Sequence, residues 1–257
     1  LETPFAPTAD QARAIADRKA GEGCDQLIAL EPSTTADAFM RVWNADGGVV
    51  ETCGNALRCV GWMLLQSSGK DEVSIDTLGG PTTARRAPGG RITVDMGAPR
   101  LDWQQIPLDE AMDTRGIELQ VGPIDAPVLH TPGAVSMGNP HVVFFMDHTP
   151  DDAFVRGTGS LIEHHPRFPE GVNVGFAHVL APDRIRLRVW ERGAGLTRAC
   201  GTGACAALVA AARRGLTRRT ATVEVDGGEL TIVWDEASDR VLMTGPVEVE
   251  RTGTLAI

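Results

Sequence analysis

Residues 188–205, RVWERGAGLTRACGTGAC, decide the fold of this chain, because residues 41–58, RVWNADGGVVETCGNALR, repeat their frame. In both copies an Arg-Val-Trp run precedes a Cys-Gly pair at the same spacing, and the two cysteines are 147 residues apart (200 minus 53). Gly-Gly pairs at 79–80 and 227–228 follow at an offset of 148 residues (227 minus 79). The sequence therefore predicts an internal duplication with one thiol in each half.

The predicted elements are one strong helix per half and a set of short strands. Each Cys-Gly pair precedes an apolar run that predicts a helix, at residues 56–65 and 204–212, and Thr8 is a candidate N-cap for an earlier helix over residues 9–19. We expect an α+β protein with two pseudo-symmetric domains, each an antiparallel β-sheet wrapped around a central helix. The β-patterned runs are residues 73–76, 91–96, 184–190, 222–225, 230–234 and 241–244.

The repeat also suggests where the domains divide. We predict an amino-terminal lobe of residues 1–103 plus 247–257 and a carboxy-terminal lobe of residues 104–246. The polar, proline-containing stretch at 99–106 is the predicted crossing between them. Both lobes fall within the usual domain size of about 50–250 residues.

Composition excludes some classes of partner. The chain has 257 residues with 24 basic and 34 acidic side chains, and its formal net charge of −10 argues against nucleic acid or a membrane surface as a partner. Its apolar runs fall short of the roughly 20 residues that span a bilayer, and we recognise no secretory signal. Five cysteines without a regular framework predict a reducing compartment, so we expect a cytoplasmic protein.

The repeated cysteines carry the predicted chemistry. Cys53 and Cys200 are expected at helix N-termini, which favour anions and would lower each thiol pKa toward neutrality. One thiolate could then remove a proton while the other thiol donates one, and the helix ends would hold a substrate carboxylate without a cofactor or a metal. A lone cysteine is most often a small buried hydrophobe, but the matched repeat favours function. Cys59 and Cys205 are predicted core residues, at spacings that fit no zinc knuckle.

A second group of polar residues lies in turn-like sequence. Asn173 interrupts an apolar strand pattern, where a polar side chain needs a specific partner. Arg192 follows a strand and precedes Cys200, so it is a candidate carboxylate-binding fork. His141 lies in a Gly-Asn-Pro-His turn that enters an apolar strand, although a lone histidine is more often structural than catalytic.

The blocks that contain these residues resemble the diaminopimelate epimerase family. They are residues 23–26 (GCDQ), 43–47 (WNADG), 52–55 (TCGN), 136–141 (SMGNPH), 171–176 (GVNVGF) and 191–205 (ERGAGLTRACGTGAC). The last block is highly specific, and the resemblance runs from about residue 10 to the C-terminus. It implies a homodimeric, cofactor-independent enzyme of lysine and peptidoglycan precursor synthesis that interconverts LL- and meso-2,6-diaminopimelate.

The resemblance also implies a role for each site residue. Cys53 and Cys200 would be the acid/base pair on opposite faces of one α-carbon, in two lobes that close around the substrate. The residues implied to bind the reacting carboxylate through backbone N–H groups are Gly54, Asn55, Gly201 and Thr202. The residues implied to engage the distal amino-acid end are Asn44, Asn139, Asn173 and Arg192. The residues implied to lie near the reacting amino group and the thiols are Gln26, His141 and Glu191.

The sequence departs from the family pattern in three places. Family members begin with a first strand and a Gly-Leu-Gly-Asn-Asp-Phe loop that supplies another substrate-binding asparagine, and nothing before Leu1 in this sequence supplies it. We expect activity to depend on that segment. Cys24 stands where the family often has an aromatic residue, and residues 55–58 (NALR) replace the commoner Asn-Gly-Ala-Arg, a change that we expect to be tolerated.

Three alternatives stay open. A proline racemase or hydroxyproline epimerase resembles this fold and also uses paired cysteines, but its substrate has no second amino-acid end to engage Asn44, Asn173 and Arg192. A phenazine-type isomerase of similar fold would lack the two thiols. A catalytically inactive homologue that only binds an amino acid would not exchange the substrate α-proton with solvent deuterium.

Overall fold

The structure is a computed structural model that describes residues 5–51 and 53–254. Thr52 of the matching block at 52–55, and residues 1–4 and 255–257 of the predicted amino-terminal lobe, lie outside the described residues. Contacts divide the chain into two compact units, Leu1–Asp95 with Gly245–Ile257 and Met96–Thr244. The lobe boundaries that we inferred from the sequence, at residues 103 and 247, remain a prediction.

The first unit is a mixed sheet with two helices. Its elements are α1 (Ala9–Ala16), β1 (Gln26–Glu31), β2 (Ala38–Asn44), β3 (Val49–Val50), α2 (Gly54–Ser68), β4 (Glu72–Thr77), β5 (Gly80–Arg86) and β6 (Ile92–Asp95), with a short 3₁₀ segment at Pro88–Gly90. The strand order is β1-β2-β4-β5-β6, and β3 pairs with β2. Strands β2 and β4 run parallel, and the other paired strands run antiparallel.

Helix α2 packs closely on the sheet of the first unit. Cys53 caps its start, and Gly69 ends it in the left-handed conformation (φ 70°), with its N–H bonded to the Leu65 carbonyl at 3.1 Å. A Cβ atom at Gly61 would lie only 2.3 Å from the Ala84 Cβ of β5. Glycine at position 61 therefore permits the close approach of α2 to β5, and this approach sets the position of the helix that carries Cys53.

The second unit contains the other two helices. Its elements are β7 (Gln120–Val121), β8 (Leu129–His130), β9 (Gly133–Ser136), β10 (Pro140–Met146), α3 (Asp152–Glu163), β11 (Asn173–Ala181), β12 (Arg184–Glu191), β13 (Gly195–Thr197), α4 (Gly201–Arg213), β14 (Thr220–Val225), β15 (Gly228–Trp234) and β16 (Val241–Gly245), with a 3₁₀ turn at Trp103–Gln105. The strand order is β16-β15-β14-β12-β11-β10-β9, β13 pairs with β12, and β7 and β8 form a separate hairpin.

The two units share one topology. The elements α1, β1, β2, β3, α2, β4, β5 and β6 correspond in order to α3, β11, β12, β13, α4, β14, β15 and β16. In both units the strand before the cysteine-capped helix pairs in parallel with the strand after it, as β2 with β4 and β12 with β14. At the offset of 147 residues, Gln26 corresponds to Asn173 and Asn44 to Glu191. The predicted fold class is therefore confirmed.

Helix α4 lies at the centre of its unit. All its residues from Gly201 to Ala211 are buried, and the helix contacts β9, β10, β11, β12, β14 and β15. Its small glycine and alanine residues allow strands to approach from several sides. Away from α4, Phe144 stacks on Phe176 with ring centroids 6.2 Å apart, and Phe154 of α3 meets Phe176 edge-on at 5.7 Å. Among the described residues no helix is long and apolar enough to cross a membrane.

Helix α1 is shorter than predicted. The Thr8 N-cap is confirmed, because its hydroxyl accepts the N–H of Gln11 at 3.2 Å and the Gln11 side chain bonds back in a capping box. The helix ends at Ala16 rather than at residue 19, because the Asp17 carboxylate accepts the N–H groups of Lys19 and Ala20 and draws the chain into a turn.

Two further features were not predicted. Helix α3 has the sequence DAFVRGTGSLIE, whose two glycines and threonine obscure its helical pattern. It forms because Asp151 caps it, accepting the N–H of Phe154 at 2.8 Å, and because one face buries Val155 and Ile162. The sheets also contain the parallel pairs β2–β4, β10–β11 and β12–β14 beside the predicted antiparallel ones.

Candidate active site

The first cysteine lies at the start of α2. Cys53 has an extended backbone (φ −141°, ψ 117°), and its carbonyl accepts the N–H of Leu57 at 2.9 Å, which makes it the N-cap. Gly54 and Asn55 are the first helical residues, and an α-helix provides no internal acceptor for N–H groups at these positions. These donors and the positive end of the helix dipole suit this position to an anion such as a carboxylate.

Two amides lie side by side at the adjacent ends of β1 and β2. Gln26 and Asn44 are partners in the strand register, and Gln26 Nε2 donates to Asn44 Oδ1 at 3.0 Å. Asn44 is exposed and Gln26 is partly buried. The bond orients both side chains, and the pair carries a further acceptor, Gln26 Oε1, and a further donor, Asn44 Nδ2.

Arg58 adds a cation near the start of α2. Its Nη1 donates to Asn55 Oδ1 at 3.2 Å, and its Nε donates to the Pro246 carbonyl at 2.9 Å. Burial lowers the pKa of Arg58 below its ordinary value, and electrostatic interactions with Cys59 and Cys53 offset only part of this shift. The start of α2 therefore contains a cation that interacts electrostatically with Cys53.

The second cysteine lies at the start of α4. Cys200 is buried, and its carbonyl accepts the N–H of Ala204 at 3.0 Å, so it caps this helix as Cys53 caps α2. Its sulfur accepts the N–H of Gly203 at 3.3 Å and lies 3.5 Å from Thr202 Oγ1. A Cβ atom at Gly203 would lie 3.2 Å from the sulfur, so glycine leaves room for the thiol. Gly201 and Thr202 are the first residues of the helix.

The pKa of Cys200 is opposite in direction to the sequence-based expectation. Burial and the Glu191 carboxylate raise the pKa of this thiol well above its ordinary value, although the hydrogen bonds from Thr202 and Gly203 favour the thiolate. The expected shift toward neutrality is therefore wrong for Cys200, because loss of hydration and a nearby anion outweigh the helix terminus. Glu191 is also hydrogen-bonded to the thiol and to Thr197 Oγ1. In this arrangement Cys200 is a proton donor with a carboxylate beside it.

Among the described residues, Asn139 and Thr202 link His141 to Cys200. The parallel register of β10 and β11 places His141 opposite Asn173. His141 Nε2 lies 2.9 Å from Asn139 Oδ1, whose amide Nδ2 donates to Thr202 Oγ1 at 3.3 Å. Complete burial, with a smaller effect from Arg192, lowers the pKa of His141 to about 3. The imidazole is thus neutral near pH 7, and Asn139 joins it to the hydroxyl beside the sulfur.

Asn173 and Arg192 meet through the backbone. The buried Asn173 side chain donates from Nδ2 to the Pro140 carbonyl at 2.8 Å and accepts the Arg192 N–H at Oδ1 at 3.0 Å. The specific partner expected for Asn173 is therefore present, and it is main chain. The Arg192 guanidinium is exposed and donates from Nη1 to the Glu170 carbonyl at 2.7 Å.

Comparison with known proteins identifies the family. The family described as diaminopimelate epimerase matches residues 2–101 and 133–250. A diaminopimelate epimerase of Caulobacter sp. (strain K31) is 62% identical, with 99% of this chain and 91% of that protein aligned. One of Rhodospirillum centenum is 51% identical, with 98% and 85% aligned.

The chain belongs to the diaminopimelate epimerase family. The resemblance inferred from the sequence blocks is thereby confirmed. Solved structures show the same fold at low identity. A hydroxyproline epimerase from Agrobacterium vitis has a TM-score of 0.65 at 19% identity over 95% of this chain and 83% of that one. A phenazine biosynthesis protein from Bacillus anthracis has a TM-score of 0.60 at 14% identity, with coverage of 93% and 86%.

The remaining cysteines of this diaminopimelate epimerase family member differ from one another. Cys205 is fully buried as predicted, and burial raises the pKa of its thiol to about 12. Cys59 is exposed, so its assignment to the core is wrong. Cys59 lines a groove of about 430 Å³ together with Cys24, Trp62 and Met63. Within residues 5–51 and 53–254, no cluster of His, Cys, Asp and Glu could hold a metal ion.

Sequence reasoning overlooked three residues that contact the candidate site. Arg58 contacts Asn55, Thr197 contacts Glu191, and the buried Glu163 accepts the backbone N–H of the residue after Arg192. The three-residue spacing of Asn55 and Arg58 was a usable signal, because residues three apart are neighbours on a helix. Thr197 and Glu163 carried no local signal, since their partners come from other elements.

Proposed function

We propose that this chain interconverts LL- and meso-2,6-diaminopimelate, with Cys53 and Cys200 as the acid and base on opposite faces of the reacting α-carbon. One observation carries the proposal: a member of the diaminopimelate epimerase family has a cysteine N-cap on the corresponding helix of each of two units of like topology. As an epimerase the chain is an isomerase.

The proton balance of the proposed reaction is zero. A thiolate removes the α-proton from one face, and the opposite thiol delivers its proton to the other face, so the enzyme ends with its protonation reversed. Cys200 begins as a thiol, as its burial and its Glu191 neighbour favour. It therefore acts first as the acid. In the reverse direction the Cys200 thiolate left by this step removes the α-proton, and the Cys53 thiol supplies its replacement. Glu191, hydrogen-bonded to the Cys200 thiol, is proposed to exchange the Cys200 proton with solvent between turnovers.

The reacting carboxylate is proposed to bind at the helix starts. The N–H groups of Gly54, Asn55, Gly201 and Thr202 are donors in fixed positions, and negative charge grows on the carboxylate as the α-proton leaves. Fixed donors stabilise that charge without reorganisation, which lowers the barrier to proton removal. This supports a reaction in which no cofactor and no metal takes part.

The distal amino-acid end is proposed to bind a group of polar side chains. Asn44, Asn139, Asn173 and Arg192 are the proposed partners, and only an L-configured distal centre would satisfy them together. Arg192 supplies the cation for a distal carboxylate. Asn173 binds the Pro140 carbonyl and the Arg192 N–H. We therefore propose that it positions Arg192 as well as contacting the substrate.

Gln26 and His141 are proposed near the reacting amino group. Gln26 donates to Asn44 through Nε2, so its Oε1 is available as an acceptor for an ammonium group. His141 is neutral and donates to Asn139, so its effect on proton transfer passes through Asn139 and Thr202. This assigns His141 an orienting role rather than that of a direct base.

The biological setting follows from the proposed reaction. The product feeds lysine biosynthesis, and five cysteines without a regular framework in the sequence suit a cytoplasmic protein. By resemblance the active form is a homodimer composed of two lobes per chain, 1–103 plus 247–257 and 104–246. Nucleic acid and membranes are not proposed as partners, given the net charge of −10.

The test is a direct assay of the full-length protein under reducing conditions. LL-diaminopimelate is incubated with the protein, and the LL and meso isomers are separated by chiral chromatography. We expect an equilibrium mixture of both isomers to form from either one. Parallel incubations with L-proline and trans-4-hydroxy-L-proline should give no isomer. Turnover of a proline substrate alone would favour the racemase alternative, and binding of diaminopimelate without turnover would favour an inactive binder.

A further inference from the structure

The turn after β12 carries two of the proposed site residues. It runs from Glu191 to Ala194 and is closed by the bond from the Ala194 N–H to the Glu191 carbonyl at 3.1 Å. Glu191 contacts Cys200 from its first position, and Arg192 extends from its second. The reaction therefore depends on where this turn is held.

Two buried side-chain oxygens hold consecutive N–H groups of the turn. Asn173 Oδ1 accepts the Arg192 N–H at 3.0 Å, and Glu163 Oε1 accepts the Gly193 N–H at 2.8 Å. Glu163 comes from the end of α3, and only 6% of it is exposed. Its other oxygen, Oε2, accepts the Trp190 indole N–H at 2.7 Å. Both oxygens of one buried carboxylate thus face donors that flank Glu191.

Close packing of α3 on β12 brings this carboxylate to the turn. A Cβ atom at Gly159 would lie 2.5 Å from the Trp190 Cβ, so glycine lets the strand approach the helix. Gly159 and Glu163 are four residues apart and share one helix face. The Trp190 ring also covers Gly195, where an added Cβ would lie 3.4 Å from it. The indole is therefore held between α3 and β13, with its N–H directed at Glu163.

The other unit shows that the fold does not require a carboxylate here. Its corresponding turn, residues 44–47, is closed in the same way, by the Gly47 N–H and the Asn44 carbonyl at 2.9 Å. The residue 147 positions before Glu163 is Ala16. In this unit Arg13 of α1 ties the turn instead, donating to the Asp46 carbonyl at 2.9 Å. A buried acid at position 163 is thus particular to the unit that carries Glu191 and Arg192.

We propose that Glu163 is a positioning residue that holds the turn so that Glu191 stays against the Cys200 thiol and Arg192 stays at the distal end of the substrate. This rests on the proposed function, since it takes the roles of Glu191 and Arg192 from there. Glu163 acts through the turn and does not touch the substrate.

The chemistry of the side chain gives a sharp test. In Glu163→Gln, the shape is kept, but only one oxygen remains for two donors, so the amide NH₂ must face either the Gly193 N–H or the Trp190 indole N–H. A second substitution, Trp190→Phe, removes the indole donor and frees the remaining oxygen for Gly193. The double variant should therefore recover what Glu163→Gln loses.

The first measurement is steady-state kinetics on the full-length protein. For Glu163→Gln we expect kcat/KM to fall about tenfold to a hundredfold, as for a buried donor left without its acceptor, with both kcat and KM affected. The kcat/KM of the double variant should lie within about threefold of that of Trp190→Phe alone, because the second substitution removes the donor that competes for the remaining oxygen. Glu236→Gln, which removes an exposed charge from the same unit, is the matched control and should behave as wild type.

The second measurement does not require activity. The rate of Cys200 alkylation by iodoacetamide is followed against pH by peptide mass spectrometry. Because the Glu191 contact raises the pKa of Cys200, a displaced turn in Glu163→Gln should move the alkylation profile to lower pH, and the double variant should restore it. An unchanged profile, or a double variant no better than Glu163→Gln, would overturn the positioning role. A wild-type protein that is inactive with the family's first strand and loop present would refute the proposed function, while the alkylation profile would still decide the role of Glu163.

Discussion

The buried imidazole of His141 makes protein stability depend on pH in a predictable way. Burial, with a smaller contribution from Arg192, lowers the pKa of His141 from its ordinary 6.5 to about 3. The unfolded chain therefore takes up a proton near pH 6.5, while the folded protein does not until about pH 3. His141 contributes stability that is fully present above pH 6.5 and is lost as the pH falls from 6.5 toward 3.

The size of this effect follows from the two pKa values. A pKa of 6.5 in the unfolded chain and about 3 in the folded protein correspond to a loss of about 2 kcal/mol between pH 7 and pH 5. Over this range the carboxylates add their own pH dependence, so the effect must be measured against a variant that lacks the imidazole. His141→Gln is suitable, because its amide can donate to Asn139 Oδ1 in place of the ring N–H.

The assay is urea unfolding at pH 7, 6 and 5 for wild type, His141→Gln and a control, His130→Gln, which removes an exposed histidine. We expect the free energy of unfolding of wild type to fall by about 2 kcal/mol more than that of His141→Gln, and by the same amount as that of the control. Parallel curves for wild type and His141→Gln would refute the reasoning. So would an imidazole resonance of His141 that titrates near pH 6.5 in the folded protein.

The remaining predictions concern the thiols. Replacing Cys53 or Cys200 with Ala should lower kcat at least about a hundredfold while thermal unfolding shows a folded protein, since each removes one proton-transfer group; near-normal turnover by either variant contradicts the roles. Gly203→Ala places a Cβ atom 3.2 Å from the Cys200 sulfur and should reduce stability by about 1 kcal/mol and kcat/KM about tenfold, measured by urea unfolding and kinetics; an unchanged kcat/KM would mean the sulfur has room to move. In native protein treated with iodoacetamide, mass spectrometry should show alkylation of the exposed Cys59. Cys205, whose pKa is about 12, should not be alkylated until the chain unfolds. Equal labelling of the two thiols would contradict the burial of Cys205.

The duplication and the two cysteine-capped helices could be predicted from sequence because their signals are local. A Cys-Gly pair before an apolar run specifies a helix start without reference to the rest of the chain, and α2 and α4 begin at Gly54 and Gly201 as expected. Strand runs such as residues 222–225 and 230–234 also carry their own alternation, and both lie within observed strands. Local signals of this kind do not depend on tertiary contacts.

Features that depend on tertiary contacts could not be predicted. Helix α3 is stabilised by burial of one face against β11, β12 and β13, contacts that its glycine-containing sequence does not reveal. Asn173 was expected to have a partner, but the partner is the backbone of Pro140 and Arg192, which only the strand register brings near. The direction of the Cys200 pKa shift likewise depends on burial and on Glu191, nine residues away in sequence.

The most direct test of the two-thiol account is the fate of the α-proton in deuterated buffer. LL-diaminopimelate is incubated with the full-length protein until a few per cent of it has been converted. The recovered substrate and the product are then analysed separately by proton NMR. Because one thiolate removes the proton and a different, deuterated thiol supplies its replacement, the account predicts deuterium in the meso product and protium retained in the recovered LL substrate. Equal deuterium in both, or protium carried into the product, would indicate a single base and contradict the roles of Cys53 and Cys200.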